Sequence, residues 1–131
     1  MRSVSHAGCG ADALIVQDMA FLRMELPPVE LHASTQVCNT DPQRVRFLSE
    51  AGFTRVILER ALSLEEIGRL SRAADVEIET FVHGAICVSY SGRGYMSRTM
   101  GPRSGNRGDC SQSCRLPYDL LDERMRPLER N

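Results

Sequence analysis

Three cysteines in the second half of the chain have the side chains best suited to binding a metal. Cys87, Cys110 and Cys114 lie in or beside a stretch rich in Gly, Ser and Arg. Thiolates are soft ligands that suit iron–sulfur clusters and zinc. Glycine backbone can approach a cluster closely, and Arg can offset the thiolate charge. No two of these cysteines have the CxxC spacing, so the sequence pattern leaves both a metal site and unliganded thiols open.

The remaining cysteines, Cys9 and Cys38, belong to no such group. The total of five cysteines is odd, and the reducing compartment that we expect for this chain argues against a disulfide framework. We therefore predict that Cys9 and Cys38 are small buried residues.

Several titratable side chains follow predicted strands. His83, Glu59 and Asp18 are candidates for acid–base catalysis, because barrel active sites lie at the C-terminal ends of the strands. A structural hydrogen bond is the alternative role for His83. For His32, a buried ring with a hydrogen-bond partner is the favoured interpretation. Glu59, together with Glu79, could pair with Arg side chains of barrel units outside this chain.

A Ser-His-Asp protease triad could be assembled from Ser34, His32 and Asp18. Hydrolases of that kind commonly place the serine in a G-x-S-x-G turn. Nothing around Ser34 resembles that turn, so the sequence disfavours a triad.

Arginines give the chain its only local excess of positive charge. The stretch from 88 to 115 contains a single acidic residue, Asp109. Its arginines could hold RNA phosphates or an anionic small molecule, and a solvated loop is the alternative. The arginines concerned are Arg93, Arg98, Arg103, Arg107 and Arg115.

Short apolar segments alternate with helical patterns through the first two thirds of the chain. Strands are predicted at Ala13–Val16, Val29–Ala33, Thr54–Leu58 and Val76–Val82. This alternation predicts βα units with a parallel sheet, as in a small doubly wound fold or part of a (β/α)₈ barrel. The chain is too short for a complete barrel, which needs about 200 residues or more. A helix is also predicted over Met19–Leu26, and after Gly84 the patterns give way to a long loop.

Two further helices have recognisable end signals. Asp41 followed by Pro42 is typical of an N-cap and the first residue of a helix, and Gly52 is at the position expected for the C-terminal cap of the same helix. Ser63 followed three residues later by Glu66 fits a capping box.

The composition excludes several functional classes. Sixteen basic and seventeen acidic residues give a net charge of −1, so the chain is not a polycationic nucleic-acid arm. Every basic residue is Arg, which excludes a Schiff-base or Walker lysine within these residues. No apolar run approaches the roughly 20 residues that span a bilayer. The beginning of the chain lacks a signal-peptide pattern, and we expect a cytoplasmic protein that does not contact a membrane.

Residues 79–97 read ETFVHGAICVSYSGRGYMS. This segment resembles the signature of peptidase family U32, the collagenase-like protease family, at Glu79, Phe81, Gly84, Ala85, Ile86, Cys87, Gly92, Met96 and Ser97. The departure is Gly94, where the family pattern has a second cysteine. The resemblance continues through RSGNRGDCSQSCRLPY and, upstream, through ADALIVQD, LHASTQ and TRVILERALSLEEI.

The resemblance implies a partial TIM-like (β/α) barrel of about four parallel strands, followed by a Gly/Arg/Cys-rich loop. Family members are longer, so we expect a fragment with a partial barrel at 1–84, a signature loop at 85–116 and an incomplete segment at 117–131. Exposed sheet edges in such a fragment predict self-association.

The resemblance also implies a function. Relatives carry a 4Fe-4S cluster and act in the hydroxylation of ribosomal RNA, tRNA or ubiquinone precursors, and this chain is most similar to the ribosomal RNA branch. Cys87 and Cys110 would then be cluster ligands, and Cys114 could join them if residues 110–114 are helical. Gly94 leaves the ligand set incomplete. The alternatives are a collagenase-like peptidase with an unassigned nucleophile and a non-catalytic remnant.

Overall fold

A computed structural model describes residues 10–129 of the chain. These residues belong to two compact units, of which the first ends at Arg93 and the second begins at Gly94. Cys9, predicted to be buried, lies outside the described residues.

The first unit is built on a four-stranded parallel sheet. Its strands are β1 (Ala13–Val16), β2 (Glu30–Ala33), β3 (Arg55–Ile57) and β4 (Glu77–Glu79). They pair in chain order, β1-β2-β3-β4, and every pairing is parallel. The strands alternate with helices, which confirms the predicted βα architecture. Within the described residues the sheet is open and consistent with part of a β/α barrel.

Helices α1 and α2, which lie between these strands, begin where their cap residues predict, and α1 also ends where predicted. Helix α1 covers Pro42–Ala51, and the Asp41 carboxylate accepts a hydrogen bond from the backbone N–H of Arg44 at 2.8 Å. Gly52 ends the helix in the left-handed conformation, with φ of 106°. Helix α2 covers Leu64–Ser71.

The two faces of the sheet have different chemistry. On one face, Val16, Ala33, Val56 and Ile78 are in register across the four strands. This apolar row packs with the helices in a core whose buried members are Val16, Ala33, Val45, Leu48, Phe53, Val56, Leu58 and Leu70. Burial of these side chains supplies the main driving force for folding of the first unit.

The opposite face carries charge. Arg55 on β3 donates to Glu77 at 2.6 and 2.8 Å and to Glu79 at 3.3 Å, both on β4. On β2, His32 is buried, and its Nε2 lies 3.4 Å from a carboxylate oxygen of Glu30. Glu79 therefore pairs with an Arg of the neighbouring strand, whereas the sequence suggested an Arg outside the chain.

Two elements are several residues shorter than the sequence predicted, whereas β2 and β3 differ from their predicted bounds by no more than one residue at either end. The helix expected over Met19–Leu26 is a 3₁₀ helix at Met19–Arg23, capped by the Asp18 carboxylate. The prolines at 27 and 28 exclude further helical turns close behind it. The strand expected over Val76–Val82 ends at Glu79, and Phe81 and Val82 are exposed. Their apolar character extended the predicted strand past its last paired residue.

The second unit has more regular structure than the predicted loop and tail. It contains helix α3 (Met96–Met100) and 3₁₀ turns at Gly105–Arg107 and Ser113–Arg115. An antiparallel hairpin follows, formed by β5 (Leu120–Leu121) and β6 (Pro127–Glu129). These elements are too short to produce a helical or alternating apolar period, which is why the sequence did not reveal them.

No helix of residues 10–129 has both the length and the apolar character that crossing a bilayer requires.

The capping box of α2 provides a test of the fold. Ser63 Oγ accepts from the N–H of Glu66, and the Glu66 carboxylate accepts from the N–H of Ser63 at 2.8 Å. The Ser63 hydroxyl also donates to that carboxylate at 2.8 Å. The bond from the Ser63 N–H, followed by the bond from its hydroxyl, holds the pKa of Glu66 below its ordinary value. We predict that Ser63→Ala lowers the free energy of unfolding by about 1 kcal/mol in urea titrations.

The matched control is Ser71→Ala at the exposed last residue of α2, expected to change that free energy by less than about 0.5 kcal/mol. The pKa of Glu66 is lower in the folded than in the unfolded chain. The ionised carboxylate therefore stabilises the fold fully above the unfolded-state pKa, and this stabilisation is lost as the pH falls through the folded-state pKa. Equal effects of both substitutions would contradict the capping assignment. The Ser63→Ala effect should become smaller at low pH but not vanish, because the bond from the Glu66 N–H to Ser63 Oγ does not depend on the charge of the carboxylate.

Candidate functional site

The residues that follow β1, β2 and β3 form a polar edge in the first unit. Gln17 follows β1, and Ser34 begins a 3₁₀ turn at Thr35–Val37 after β2. Asn39 is fully buried, and its amide donates to Ile57 O at 2.8 Å and to Ser34 O at 3.1 Å. Strands β2 and β3 are thus tied together at their carboxyl ends, where barrel active sites lie.

Later residues of the first unit contact the same edge. Ser91 is buried, and its hydroxyl donates to Glu59 Oε1 at 3.3 Å. The N–H of Gly92 donates to Gln36 Oε1 at 2.7 Å. The sequence singled out Glu59 but gave Ser91 no role, because its partner is distant along the chain.

The three proposed acid–base residues have different surroundings. Asp18 is exposed and caps a 3₁₀ helix. His83 is exposed on the segment that follows β4. Glu59 is half-buried and accepts hydrogen bonds from Ser91 and from the N–H of Ala61, the latter at 2.6 Å. The structure thus attaches only Glu59 to the polar edge through its side chain.

The side chains considered for a protease triad have separate partners. Ser34 Oγ accepts from the N–H of Gln36 at 3.2 Å, as a 3₁₀ cap. His32 lies against Glu30 rather than against Asp18. None of the three is within a hydrogen bond of another in the described structure.

The three candidate thiols are all exposed. Cys87 belongs to the first unit, and Cys110 and Cys114 belong to the second. Residues 110–114 are not a helical turn, contrary to the geometry that would bring Cys114 beside Cys110. Gln112 has a φ of 55°, and only Ser113–Arg115 form a 3₁₀ turn.

Cys110 has the most developed surroundings of the three. Ser97 Oγ lies 3.6 Å from its sulfur and accepts from the N–H of Ser111, so the Ser97 hydrogen is available to the sulfur. The N–H of Gln112 donates to the sulfur at 3.4 Å. The Ser97 hydrogen bond, followed by the Gln112 N–H and the charge of Arg103, lowers the pKa of the Cys110 thiol.

Gly94 and Cys110 both lie close to Gly105. A Cβ placed on Gly105 would stand 3.6 Å from the Gly94 carbonyl oxygen and 3.9 Å from the Cys110 sulfur. The residue that departs from the U32 pattern and the Cys110 thiol therefore both border the same glycine, Gly105.

The donor set present does not fit a complete metal site. Among residues 10–129, no three His, Cys, Asp or Glu side chains are grouped so that they could hold a metal ion. A cluster with four cysteine ligands needs more thiols than this arrangement supplies.

The arginines of the second unit differ in their partners. Arg103 donates to Asp109 at 2.7 Å and to Cys110 O at 3.3 Å. Arg107 is exposed, and no side-chain partner for it lies in the described part of the chain. Arg103 is thus engaged locally, whereas Arg107 presents its guanidinium to solvent.

Comparison with known proteins gives a family match over nearly the whole sequence. The family described as peptidase family U32 matches residues 4–131. No solved structure matches the chain.

Three curated relatives indicate the range of the family. The chain is 53% identical over 117 residues to the 23S rRNA 5-hydroxycytidine C2501 synthase of Escherichia coli, covering 89% of this chain and 18% of that protein. It is 46% identical to tRNA hydroxylation protein P1 of Bacillus subtilis, covering 84% of this chain and 25% of that protein. It is 33% identical to a collagenase of Porphyromonas gingivalis, covering 94% of this chain and 33% of that protein. The chain thus spans a third or less of each of these relatives.

The surroundings of Cys110 predict a shifted reactivity profile. Iodoacetamide reacts with the thiolate, so a lowered pKa moves the half-maximal alkylation rate to lower pH. We predict that Ser97→Ala moves this midpoint to higher pH, measured for the Cys110 peptide by mass spectrometry from neutral to alkaline pH. The control is Thr99→Ala on the same helix, whose hydroxyl donates to Tyr95 O. An unchanged midpoint in Ser97→Ala would show that Ser97 does not stabilise the thiolate.

Proposed function

The chain belongs to peptidase family U32, and from this membership we propose that the protein acts in the hydroxylation of RNA. The observation that carries the proposal is the 53% identity to the 23S rRNA 5-hydroxycytidine synthase over 89% of the chain. The collagenase match, at 33% identity, is weaker. Ribosomal RNA is therefore the favoured substrate, with tRNA as the alternative. An RNA substrate also favours a cytoplasmic location.

A collagenase-like peptidase is the second candidate, supported by the collagenase relative. A serine mechanism has little support, since Ser34, His32 and Asp18 bond to other groups. The third candidate is a non-catalytic remnant. It is supported by Gly94, which stands where the U32 pattern has a cysteine.

We propose Cys87, Cys110 and Cys114 as the sulfur donors that this chain offers to a 4Fe-4S cluster. Four thiolates complete such a cluster, and Gly94 supplies none. The lowered pKa of Cys110 favours the thiolate, which is the form that binds metal. The proposed candidates for acid–base catalysis are His83, Glu59 and Asp18.

Arginine side chains are the proposed contacts to RNA phosphates, or to an anionic small molecule in the alternative. Guanidinium groups bind phosphate bidentately and remain charged at all physiological pH values. The proposed contacts are Arg93, Arg103, Arg107 and Arg115. Arg93 and Arg107 are exposed, whereas Arg103 is already bonded to Asp109, and we choose Arg107 of the second unit for the test.

The proposed organisation assigns residues 1–84 to the partial barrel, 85–116 to the signature loop and 117–131 to a C-terminal segment. Strands β1 and β4 are the outer strands of the sheet. Self-association through these edges stays a prediction.

A chimera tests the proposed activity. The matched segment of the Escherichia coli synthase is replaced by this chain, and the chimera is expressed in a strain that lacks the synthase. We predict that a chimera with Gly94→Cys restores 5-hydroxycytidine at C2501, measured by nucleoside mass spectrometry, and retains more iron after anaerobic purification than the Gly94 form. Cys110→Ser in that chimera should abolish the product, and Cys38→Ser is the matched control.

Each outcome of the chimera experiment separates the candidates. If a folded Gly94→Cys chimera gives no hydroxycytidine, the RNA hydroxylation proposal is wrong for this chain. Digestion of gelatin by the same protein would favour the peptidase. Activity of the Gly94 form equal to that of Gly94→Cys would show that this position is not a ligand.

The phosphate contact predicts a change in salt dependence. Arg107→Gln should make the dependence of the RNA association constant on salt concentration less steep. In a plot of the logarithm of that constant against the logarithm of salt concentration, the magnitude of the slope should fall by about 0.7 for single-stranded RNA, because one phosphate contact is lost. Arg124→Gln, which removes the same charge from the β5–β6 hairpin, is the control and should leave the slope unchanged. Fluorescence anisotropy with labelled RNA measures both. Equal slopes for the two variants would contradict a contact at Arg107.

A further inference from the structure

The chain after β4 returns to the sheet within the first unit at Ser91 and Gly92. Residues 84–93, here called the Cys87 segment, begin with exposed residues that include Cys87 itself. Near the end of the segment, Ser91 is only 4% exposed. The buried Ser91 hydroxyl and the neighbouring Gly92 N–H are the groups through which this segment contacts the sheet in the bonds described below.

The first attachment joins Gly92 to Gln36. The N–H of Gly92 donates to Gln36 Oε1 at 2.7 Å. Gly92 has a φ of 78°, and a Cβ at this position would overlap the carbonyl oxygen of Gln36. Only glycine allows the segment to approach this backbone so closely in this conformation. Gln36 thus contributes both a side-chain acceptor and a backbone surface.

The second attachment joins Ser91 to Glu59. Ser91 Oγ donates to Glu59 Oε1 at 3.3 Å. The other carboxylate oxygen accepts from the N–H of Ala61 at 2.6 Å, which fixes the orientation of the carboxylate. The N–H of Glu59 itself donates to Asn39 O at 3.4 Å. Glu59 is therefore held by its own surroundings and presents one oxygen to the segment.

The two attachments start from different strands. Gln36 follows β2 and Glu59 follows β3, and the buried Asn39 amide joins the carboxyl ends of these strands. Because Gln36 and Glu59 are anchors on two neighbouring strands, the hydrogen bonds to them restrict both translation and rotation of Ser91 and Gly92. A single hydrogen bond would leave the segment free to pivot.

We propose that Gln36 and Glu59 are positioning residues that attach the Cys87 segment to the carboxyl edge of the sheet and thereby restrict the positions of the Cys87 thiol. They act through Gly92 and Ser91. The inference goes beyond the proposed function, because it concerns how the chain holds this thiol and not what the thiol binds.

The test measures the position of Cys87 directly. A spin label on Cys87 and a second on Glu50→Cys, an exposed site on α1, report a distance distribution by double electron–electron resonance. The labelled chain has its other cysteines replaced by serine, namely Cys9, Cys38, Cys110 and Cys114. Far-ultraviolet circular dichroism confirms that each variant is folded.

Removal of either attachment should broaden the distribution. We expect Gln36→Leu and Ser91→Ala each to widen it by about twofold or more, because the segment loses an anchor and opens locally. Gln36→Glu keeps an acceptor oxygen and should retain the narrow distribution. Ser89→Ala, on the same segment, is the matched control, since Ser89 Oγ lies 3.5 Å from the adjacent Tyr90 carbonyl and contacts neither anchor.

Two results would overturn the proposal. One is a distribution in folded Gln36→Leu and Ser91→Ala as narrow as in the parent chain. The other is broadening by Gln36→Glu equal to that by Gln36→Leu, because the acceptor oxygen would then have no role. Neither depends on iron or RNA, so failure of the RNA hydroxylation proposal leaves this test intact.

Discussion

The parallel direction of the four strands is the constraint on which the rest of the structure depends. It places the residues after β1, β2 and β3 at one edge, so that Gln36 and Glu59 lie near enough to hold a common segment. The apolar row on one face of the sheet packs with α1 and α2 in the core that supports this edge. The chemistry proposed for Cys87 therefore rests on hydrophobic packing that contains no cysteine.

Local signals predicted the first unit well. The caps at Asp41 and Ser63 act within three residues, so the sequence alone identified the starts of α1 and α2. The second unit was predicted poorly, because a five-residue helix such as Met96–Met100 shows no apolar period. Apolar residues that remain exposed, such as Val82, also misled the prediction of where β4 ends.

Some residues of the candidate site could be named from the sequence, and others could be found only from the fold. Cysteines are rare and carry their chemistry in the side chain, so the sequence alone proposed Cys87 and Cys110 as candidate ligands. It did not identify Gly92 or Ser91, because their partners lie 56 and 32 residues away in sequence and belong to the sheet edge. Long-range contacts of small residues have no local pattern, and only the fold reveals them.

Amide hydrogen exchange at Gly92, followed by nuclear magnetic resonance in the unmodified chain, tests the attachment of the Cys87 segment most directly. If the N–H of Gly92 is bonded to Gln36, its exchange should be at least about tenfold slower than in an unstructured peptide of the same sequence. Exchange as fast as in that peptide, with the amides of β2 and β3 still protected, would contradict the attachment.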